Sequence, residues 1–428
     1  MDVMKQSRLF TKTKKEAPSD EVSKNAELLI RGGFINKEMA GVYDYLPLGL
    51  RVLNKIEGIV REEMNKAGGQ EVSLTALQNP ELFKKTDRWS DDVVDNWFKT
   101  KLKNDAELGL GFSHEEPLVN LLTGFISSYK DLPLSVYQFQ TKFRNELRAK
   151  SGILRGREFF MKDMYSFHAS QEDFEKFYEK MKEVYKNIFT RVGIGHLTYL
   201  TFASGGTFAK YSHEFQTITP AGEDTIYVDE ASSVAVNKEV YNDEVLGLLS
   251  LNKEKLVEHK AIEVGNIFDL KTKYSKPFDL SFTDPKGEKH EVLMGCYGIG
   301  LGRLMGTVVE VLSDDKGIIW PEAIAPFAVH LLVLGEDGEV SKEAENIYNN
   351  LVKNNIEVLF DDRTGVMPGE KFADSDLLGI PLRAVVSARS IKDLSAGAGG
   401  GIEIKKRVEE KGKIVSLAEL LSLLKPRS

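Results

Sequence analysis

Arg144 and Glu146 stand two residues apart in the run Thr141-Lys142-Phe143-Arg144-Asn145-Glu146. On an extended strand that spacing puts a guanidinium and a carboxylate on one face. The arginine could neutralise a phosphate, and the glutamate could accept from an adenine amino group or a bound cation. A loop rich in glycine and basic residues, Lys150 to Gly156, then leads into a second strand-like run from Glu158. A hairpin of this kind returns Arg155 and Phe159 beside Arg144, and Phe159 offers a stacking surface for a purine. An ordinary amphipathic hairpin with a solvated charged face has the same pattern, so this segment alone leaves both readings open.

A second segment, Met294-Gly295-Cys296-Tyr297-Gly298-Ile299-Gly300-Leu301-Gly302-Arg303, runs from a strand through glycines into a helix. Glycine lets backbone approach a ligand closely. The spacing is not that of a dinucleotide fingerprint, and the βαβ context is missing. No Gly-x-x-x-x-Gly-Lys-Ser/Thr loop occurs in the chain, which excludes a P-loop nucleotidase.

Several elements must hold these residues in place. A helix over 49–66 carries Val52, Leu53, Ile56, Ile59, Val60 and Met64 at helical spacing, and Gly68-Gly69 stops it. An earlier helix is expected over 19–31, capped by Ser19 or Asp20, and a strand from Glu71 to Leu77. A helix over 117–130 follows, with Ser113 and Glu116 at capping-box spacing ahead of it. Tyr137–Glu146 and Glu158–Phe167 read as the strands of the hairpin. Ser170 with Asp173 opens a long helix whose core face includes Phe174, Phe177, Met181, Val184, Ile188 and Val192. Residues 225–280 show short apolar runs and one small helix. After Pro326 the pattern becomes alternating strand and helix: strands near 329–334, 356–361, 382–387 and 401–406, helices near 341–354, 370–379 and 416–425. That is a compact α/β unit of its own. Ala396–Gly401 reads as a glycine-rich turn.

Composition narrows the class. With 42% hydrophobic and 29% charged residues over 428 positions, the chain can build a large domain and a smaller one. A single cysteine, Cys296, excludes an internal disulfide and a cysteine-based structural zinc site. No apolar run is long enough to span a bilayer. The basic first 15 residues lack the apolar stretch of a secretory signal. A cytoplasmic location is expected. The net charge of −8 argues against coating nucleic acid by overall charge, while a local basic surface can still bind it.

Taken together, the Phe143-Arg144-x-Glu146 strand, the basic loop, the Arg157-Glu158-Phe159-x-x-Lys162-Asp163 strand and the Gly298-x-Gly300-x-x-Arg303 helix resemble motifs 2 and 3 of class II aminoacyl-tRNA synthetases. Ser113-His114-Glu115-Glu116, Met161-Lys162-Asp163-Met164-Tyr165-Ser166-Phe167-His168, Gly295-Cys296-Tyr297-Gly298-Ile299-Gly300 and Gly317-Ile318-Ile319-Trp320-Pro321-Glu322 are similar to the bacterial-type prolyl-tRNA synthetase family. The resemblance implies an α+β fold: a class II catalytic domain over 1–325, with an antiparallel sheet flanked by helices, then a smaller α/β anticodon-binding domain over 326–428. Motifs 1, 2 and 3 fall near 49–80, 139–167 and 293–312.

It further implies a proline–tRNA ligase that forms prolyl-adenylate from L-proline and ATP and passes prolyl to tRNA(Pro). Arg144 would hold the proline carboxylate and the α-phosphate, Glu146 the adenine, and Arg155 the γ-phosphate. Phe159 and Arg303 would sandwich the purine. Magnesium would accompany ATP, with Glu214 in Ser212-His213-Glu214-Phe215-Gln216 as a metal ligand or a support behind one. Glu115 would take the proline ammonium with Ser113 beside it, and Phe167, His168 and Cys296 would wall the ring. Arg148 and Lys150 would meet the acceptor end of tRNA, and Arg363, Lys371 and Phe372 the anticodon.

The alternative to an active ligase is a non-catalytic paralogue that binds tRNA or a partner as a regulator. Such a paralogue tends to lose some of Arg144, Glu146, Arg155, Phe159 and Arg303, all present here. A homodimer is expected, although Thr75 replaces the usual motif 1 proline. The span from Glu223 to His290 is too short for the editing domain that many bacterial relatives insert, so a separate trans-editing protein is expected.

Overall fold

The computed structural model describes residues 4–19, 21–147, 149, 151–206, 208–335, 337–393 and 401–425. Arg148, Lys150, Asp20 and most of the glycine-rich turn, 396–400, lie outside them. The chain folds as two compact units that are not contiguous in sequence: Lys37–Tyr43 with Ile56–Val311, and Met1–Asn36 with Asp44–Lys55 and Leu312–Ser428.

The larger unit is built on a sheet of nine strands among the described residues. At its centre lies the long strand Val257–Lys271, followed across the sheet by the glycine-rich strand Leu293–Gly300, the return strand Glu158–His168 and the outgoing strand Leu134–Phe143. These neighbours are antiparallel. Lys142 pairs with Phe159, and Gly298 with Asp163, so motif residues far apart in the chain sit on adjacent strands. The helix Gln171–Arg191 buries Phe174, Tyr178, Met181, Tyr185, Ile188 and Phe189, and Ser170 Oγ caps it by accepting from Asp173 N at 3.2 Å. The glycine-rich strand runs straight into the helix Leu301–Val311. A side chain at Gly298 would put Cβ 2.6 Å from Met161 Cε, so the end of that methionine would have to move.

Two local expectations are corrected. Glu71–Leu77 is not one strand: Gln70–Glu71 pairs with the outgoing strand, the chain then turns away, and Leu77–Gln78 pairs separately with Glu107–Leu110. The helix after Ser113 spans Glu115–Leu122, not 117–130, and has no side-chain cap. Ser113 and Glu116 both turn to Arg88, because two buried carboxylates need a cation more than a helix end needs a cap. The first helix begins at Lys24, past the expected cap.

In the second unit, Val358–Asp361, Val329–Leu334 and Leu382–Ser387 pair in parallel, and Ile402–Lys406 and Lys413–Val415 extend the sheet antiparallel. The helices Gly338–Lys353 and Leu417–Leu424 contribute Val340, Ala344, Ile347, Leu351 and Leu420 to its core. The outer edge of this sheet is covered by the N-terminus: Met4 pairs with Leu359 and Lys5 with Phe360. Lys5 also bonds Glu345 at 2.8 Å, and Gln6 Oε1 lies 2.9 Å from His330 Nε2. No described helix is long and apolar enough to cross a membrane.

Candidate active site

The hairpin, the glycine-rich strand and the segment Phe112–Glu115 enclose one cleft in the larger unit. Phe112, Ser113, Glu115, Arg144, Glu146, Arg155, Phe159, Asp163, Cys296 and Arg303 all line it. Phe159 and Arg303, far apart in the chain, therefore face a common space.

The cleft has a cationic end. The Arg144 guanidinium lies 4.9 Å from the ring centroid of Phe112 and 5.3 Å from that of Phe159. Its Nε has no hydrogen-bond partner, and among the described residues no carboxylate forms an ion pair with it. Burial, with the Arg303 cation opposite, pushes it below the ordinary arginine value. A half-buried guanidinium with an unpartnered Nε is suited to hold an anion. Arg303 donates from Nε to Leu154 O at 2.9 Å and from Nη1 to Glu263 Oε2 at 3.0 Å. These bonds tie it to the loop of the hairpin and to the long strand. Arg155 donates to Glu146 at 2.9 Å and to Glu223 at 3.0 Å. Aromatic faces beside guanidinium planes make a surface for a purine.

The other end is acidic. Glu115 is 2% exposed. Its Oε2 accepts from Arg88 Nη1 at 3.2 Å, while Oε1 accepts from the Tyr165 hydroxyl at 3.3 Å and lies 3.7 Å from Cys296 Sγ. Burial pushes its carboxyl up, but Arg88 and Ser113 outweigh that, and the net direction is down. Asp163 takes Lys142 at 2.8 Å and Tyr165 at 3.0 Å. Glu116, behind, accepts from Arg88 at 2.9 Å. Burial and Lys142 push His114 down to about 4, so it is neutral. Glu115, Glu116 and Asp163 thus face Arg88 and Lys142, and burial together with the Glu115 charge pushes the Glu116 carboxyl up.

A third group lies beside Arg303. Glu263 lines it. Asn266 Nδ2 bridges Glu263 at 3.0 Å and Glu214 at 3.4 Å, and Gln216 Nε2 bridges Glu214 at 2.9 Å and Asp224 at 2.7 Å. Burial and the neighbouring Glu263 push Glu214 up to about 8. Arg303, 3.0 Å from Glu263, is the countercharge to this group.

Several expected site residues stand elsewhere. Glu214 sits on the strand Tyr211–Ile218, next to the strand of Glu263 in the same sheet, and does not line the cleft. His168 is buried against Phe174 and Phe177, with Nδ1 2.6 Å from Asp173. It lies on the opposite face of its strand from Phe159, as a period of two requires. Phe167 is packed in the core with Leu118, Val136 and Met294. In the second unit Lys371 is 3% exposed and donates to Val333 O and Arg363 O at 2.9 and 2.7 Å. Arg363 bonds Asp361 at 2.9 and 2.7 Å and Asp374 at 2.9 Å. Both cations are turned inward by buried aspartates. Phe372 is half-buried, with the Arg383 guanidinium 4.7 Å from its ring.

The reading of motifs missed Arg88, Met161, Asp163, Tyr165, Phe208 and Glu263 as parts of the site. Met161, Asp163 and Tyr165 share the parity of Phe159 on one strand, a signal present in the sequence. Arg88, Phe208 and Glu263 sit in stretches with no periodicity to announce them.

Residues 98–312 match the tRNA synthetase class II core domain (G, H, P, S and T), and residues 328–427 match the anticodon binding domain. The proline–tRNA ligase of Bacillus cytotoxicus is 31% identical over 567 aligned positions, covering 97% of this chain and 98% of that enzyme. That of Bacillus cereus strain AH820 is likewise 31% identical, with the same coverage. An alignment of 567 positions on a chain of 428 leaves many at which those relatives have residues and this chain has none. In fold, the chain is similar to Giardia lamblia prolyl-tRNA synthetase in complex with prolyl-adenylate, with a TM-score of 0.75, 19% identity, and coverage of 92% of this chain and 74% of that one. The Cryptosporidium parvum enzyme complexed with L-proline and AMP gives 0.73 at 17% identity, covering 92% and 72%.

Proposed function

This chain belongs to the class II proline–tRNA ligases, and we propose that the two poles of its cleft activate L-proline by gripping a zwitterion and a nucleotide side by side. A class II catalytic core is followed by an anticodon-binding domain. The observation that carries the reading is Arg144: a half-buried guanidinium between two aromatic rings, its Nε without a hydrogen-bond partner and with no carboxylate ion-paired to it among the described residues, in the same cleft as the acidic pair Glu115 and Asp163.

In the first half-reaction a proline carboxylate oxygen attacks the α-phosphorus of ATP, and the bond to pyrophosphate breaks. Arg144 holds the carboxylate and the α-phosphate together, which supplies orientation and charge stabilisation at once. Glu115 Oε1 takes the ammonium, and Asp163 and Tyr165 hold that oxygen's surroundings. Met161, Phe208 and Cys296 bound the ring. Phe159 and Arg303 sandwich the purine, Glu146 accepts from its amino group, and Arg155 releases its carboxylates for the γ-phosphate. Magnesium, when bound with ATP, would neutralise phosphate oxygens; Glu263 would hold it, with Glu214 on the neighbouring strand. In the second half-reaction a ribose hydroxyl of tRNA attacks the prolyl carbonyl and AMP leaves. Arg148 and Lys150 guide the acceptor end. Residues 1–325 carry this chemistry and 326–428 read the anticodon, with Phe372 and Arg383 as a stacking pair for a splayed base. Arg363 and Lys371 support that surface from within.

The enzyme works as a cytoplasmic homodimer; exposed Leu121 and Phe125, 45% and 69% accessible, support an interface beyond the helix Glu115–Leu122. A pocket discriminates a missing methylene by only about 1–3 kcal/mol, so a separate protein clears mischarged alanyl-tRNA. Exchange of pyrophosphate into ATP tests the assignment, with proline, alanine and cysteine compared. Proline should drive it far better than the other two. Exchange indifferent to proline would overturn the reading and favour a non-catalytic paralogue.

A further inference from the structure

We infer that Arg88 is the positioning residue that sets proline recognition, acting through Glu115 without touching substrate. The inference rests on the assignment of Glu115 to the proline ammonium. Arg88 lies just after the short helix Pro80–Lys84, is 2% exposed, and is absent from the cleft wall. One guanidinium holds three side chains of the recognition segment: Ser113 Oγ at 2.8 Å, Glu115 Oε2 at 3.2 Å and both Glu116 oxygens at 3.0 and 2.9 Å. Because Oε2 of Glu115 is taken by Arg88, only Oε1 turns to the cleft, where Tyr165 and Cys296 meet it. The rotamer of the recognition carboxylate is therefore fixed from behind. Its ionisation is fixed too, since without Arg88 two adjacent buried carboxylates would share a proton.

Arg88 also governs the apolar wall. Its guanidinium lies 5.1 Å from the ring centroid of Phe208 and 5.8 Å from that of Phe112, both lining the cleft. One buried cation thus sets the charge and the width of the amino-acid pocket, and no part of the nucleotide subsite. Arginine is needed for this: a fork of five donors can serve three acceptors at once, and the point charge of lysine cannot.

The test uses the full-length enzyme and two variants, R88K and R88M/E116Q. The double variant removes one charge of each sign, so it folds without an uncompensated buried carboxylate pair. Steady-state pyrophosphate exchange gives separate KM values for proline and ATP. In both variants the proline KM should rise at least about tenfold while the ATP KM stays within about twofold. A proline KM within twofold of wild type in either variant overturns the inference. So does a parallel rise in both KM values, the mark of a general structural role. Wild-type enzyme without proline-dependent exchange would instead sink the assignment of function.

Discussion

Replacing Glu115 with glutamine removes one charge from the acidic pole and leaves its shape. Glu115→Gln can keep its oxygen on the Arg88 donor, now 3.2 Å from Oε2, and turn its amide toward the Tyr165 hydroxyl, which donates to Asp163 at 3.0 Å. What is lost is the attraction for the proline ammonium. At an effective dielectric constant of about 20 and a contact of about 4 Å, a unit pair is worth about 4 kcal/mol. Asp163 remains nearby, although Lys142 at 2.8 Å offsets much of its charge. The net loss is therefore about 2–4 kcal/mol, or roughly 30- to 1000-fold in proline affinity. Stability should hardly change. Arg88 keeps Glu116 at 2.9 Å, and burial together with the charge of Glu115 raises the Glu116 carboxyl, a strain the substitution relieves. The assay is pyrophosphate exchange with proline varied, and tetrahydrofuran-2-carboxylate as a competitor whose ring oxygen carries no charge. Wild type should prefer proline strongly over this analogue, and the variant should hold the two more nearly alike. The ATP KM should stay within about threefold. A proline KM within threefold of wild type, or an inhibition constant for the analogue that climbs in step with it, would refute the reasoning.

Arg144→Ala should lower kcat/KM for exchange by about 10³-fold or more, because the group meets charge that develops at phosphorus. Its melting temperature should equal or exceed that of wild type, since a half-buried cation with an unpartnered Nε is removed; a lower value would mean that Arg144 is structural. Burial pushes Lys162 down to about 7, below its usual value of 10.5, so the unfolded chain binds more protons between those values. Stability of the wild type should rise with pH across that window, by at most about 1.4 kcal/mol per unit. Urea melts of Lys162→Met should lack the rise, and parallel profiles for the two proteins would show that Lys162 stays charged. Arg363→Ala should destabilise the enzyme by about 1–3 kcal/mol, because Asp361 and Asp374 lose their shared partner. Exchange by the folded fraction should be unaffected; an undisturbed melt with weakened tRNA charging would instead place Arg363 at the anticodon.

Local pattern alone carried much of this protein. The apolar spacing of the helices, the two strands of the hairpin and the glycine-led entry into the helix at Leu301 follow from short-range sterics and burial, which neighbouring residues determine between themselves. The cation set Arg144, Arg155 and Arg303 and the stacking ring Phe159 were legible because their motifs are contiguous, although the outgoing strand ends at Phe143, so Arg144 and Glu146 lie past it and are not placed by strand parity. Parity would also have moved His168 off the cleft and brought in Asp163 and Tyr165. Tertiary structure alone decided the rest. A carboxylate in the sequence does not announce its counterion: Arg88 joins Glu115 across 27 residues, and only packing shows that Lys371 and Arg363 point inward. The N-terminal strand on the outer sheet edge pairs residues more than 350 apart, a contact set by unsatisfied backbone groups on that edge and not by any side-chain pattern at Met4 or Lys5. Charge balance is a property of a volume, so it became visible once the strands had been laid side by side.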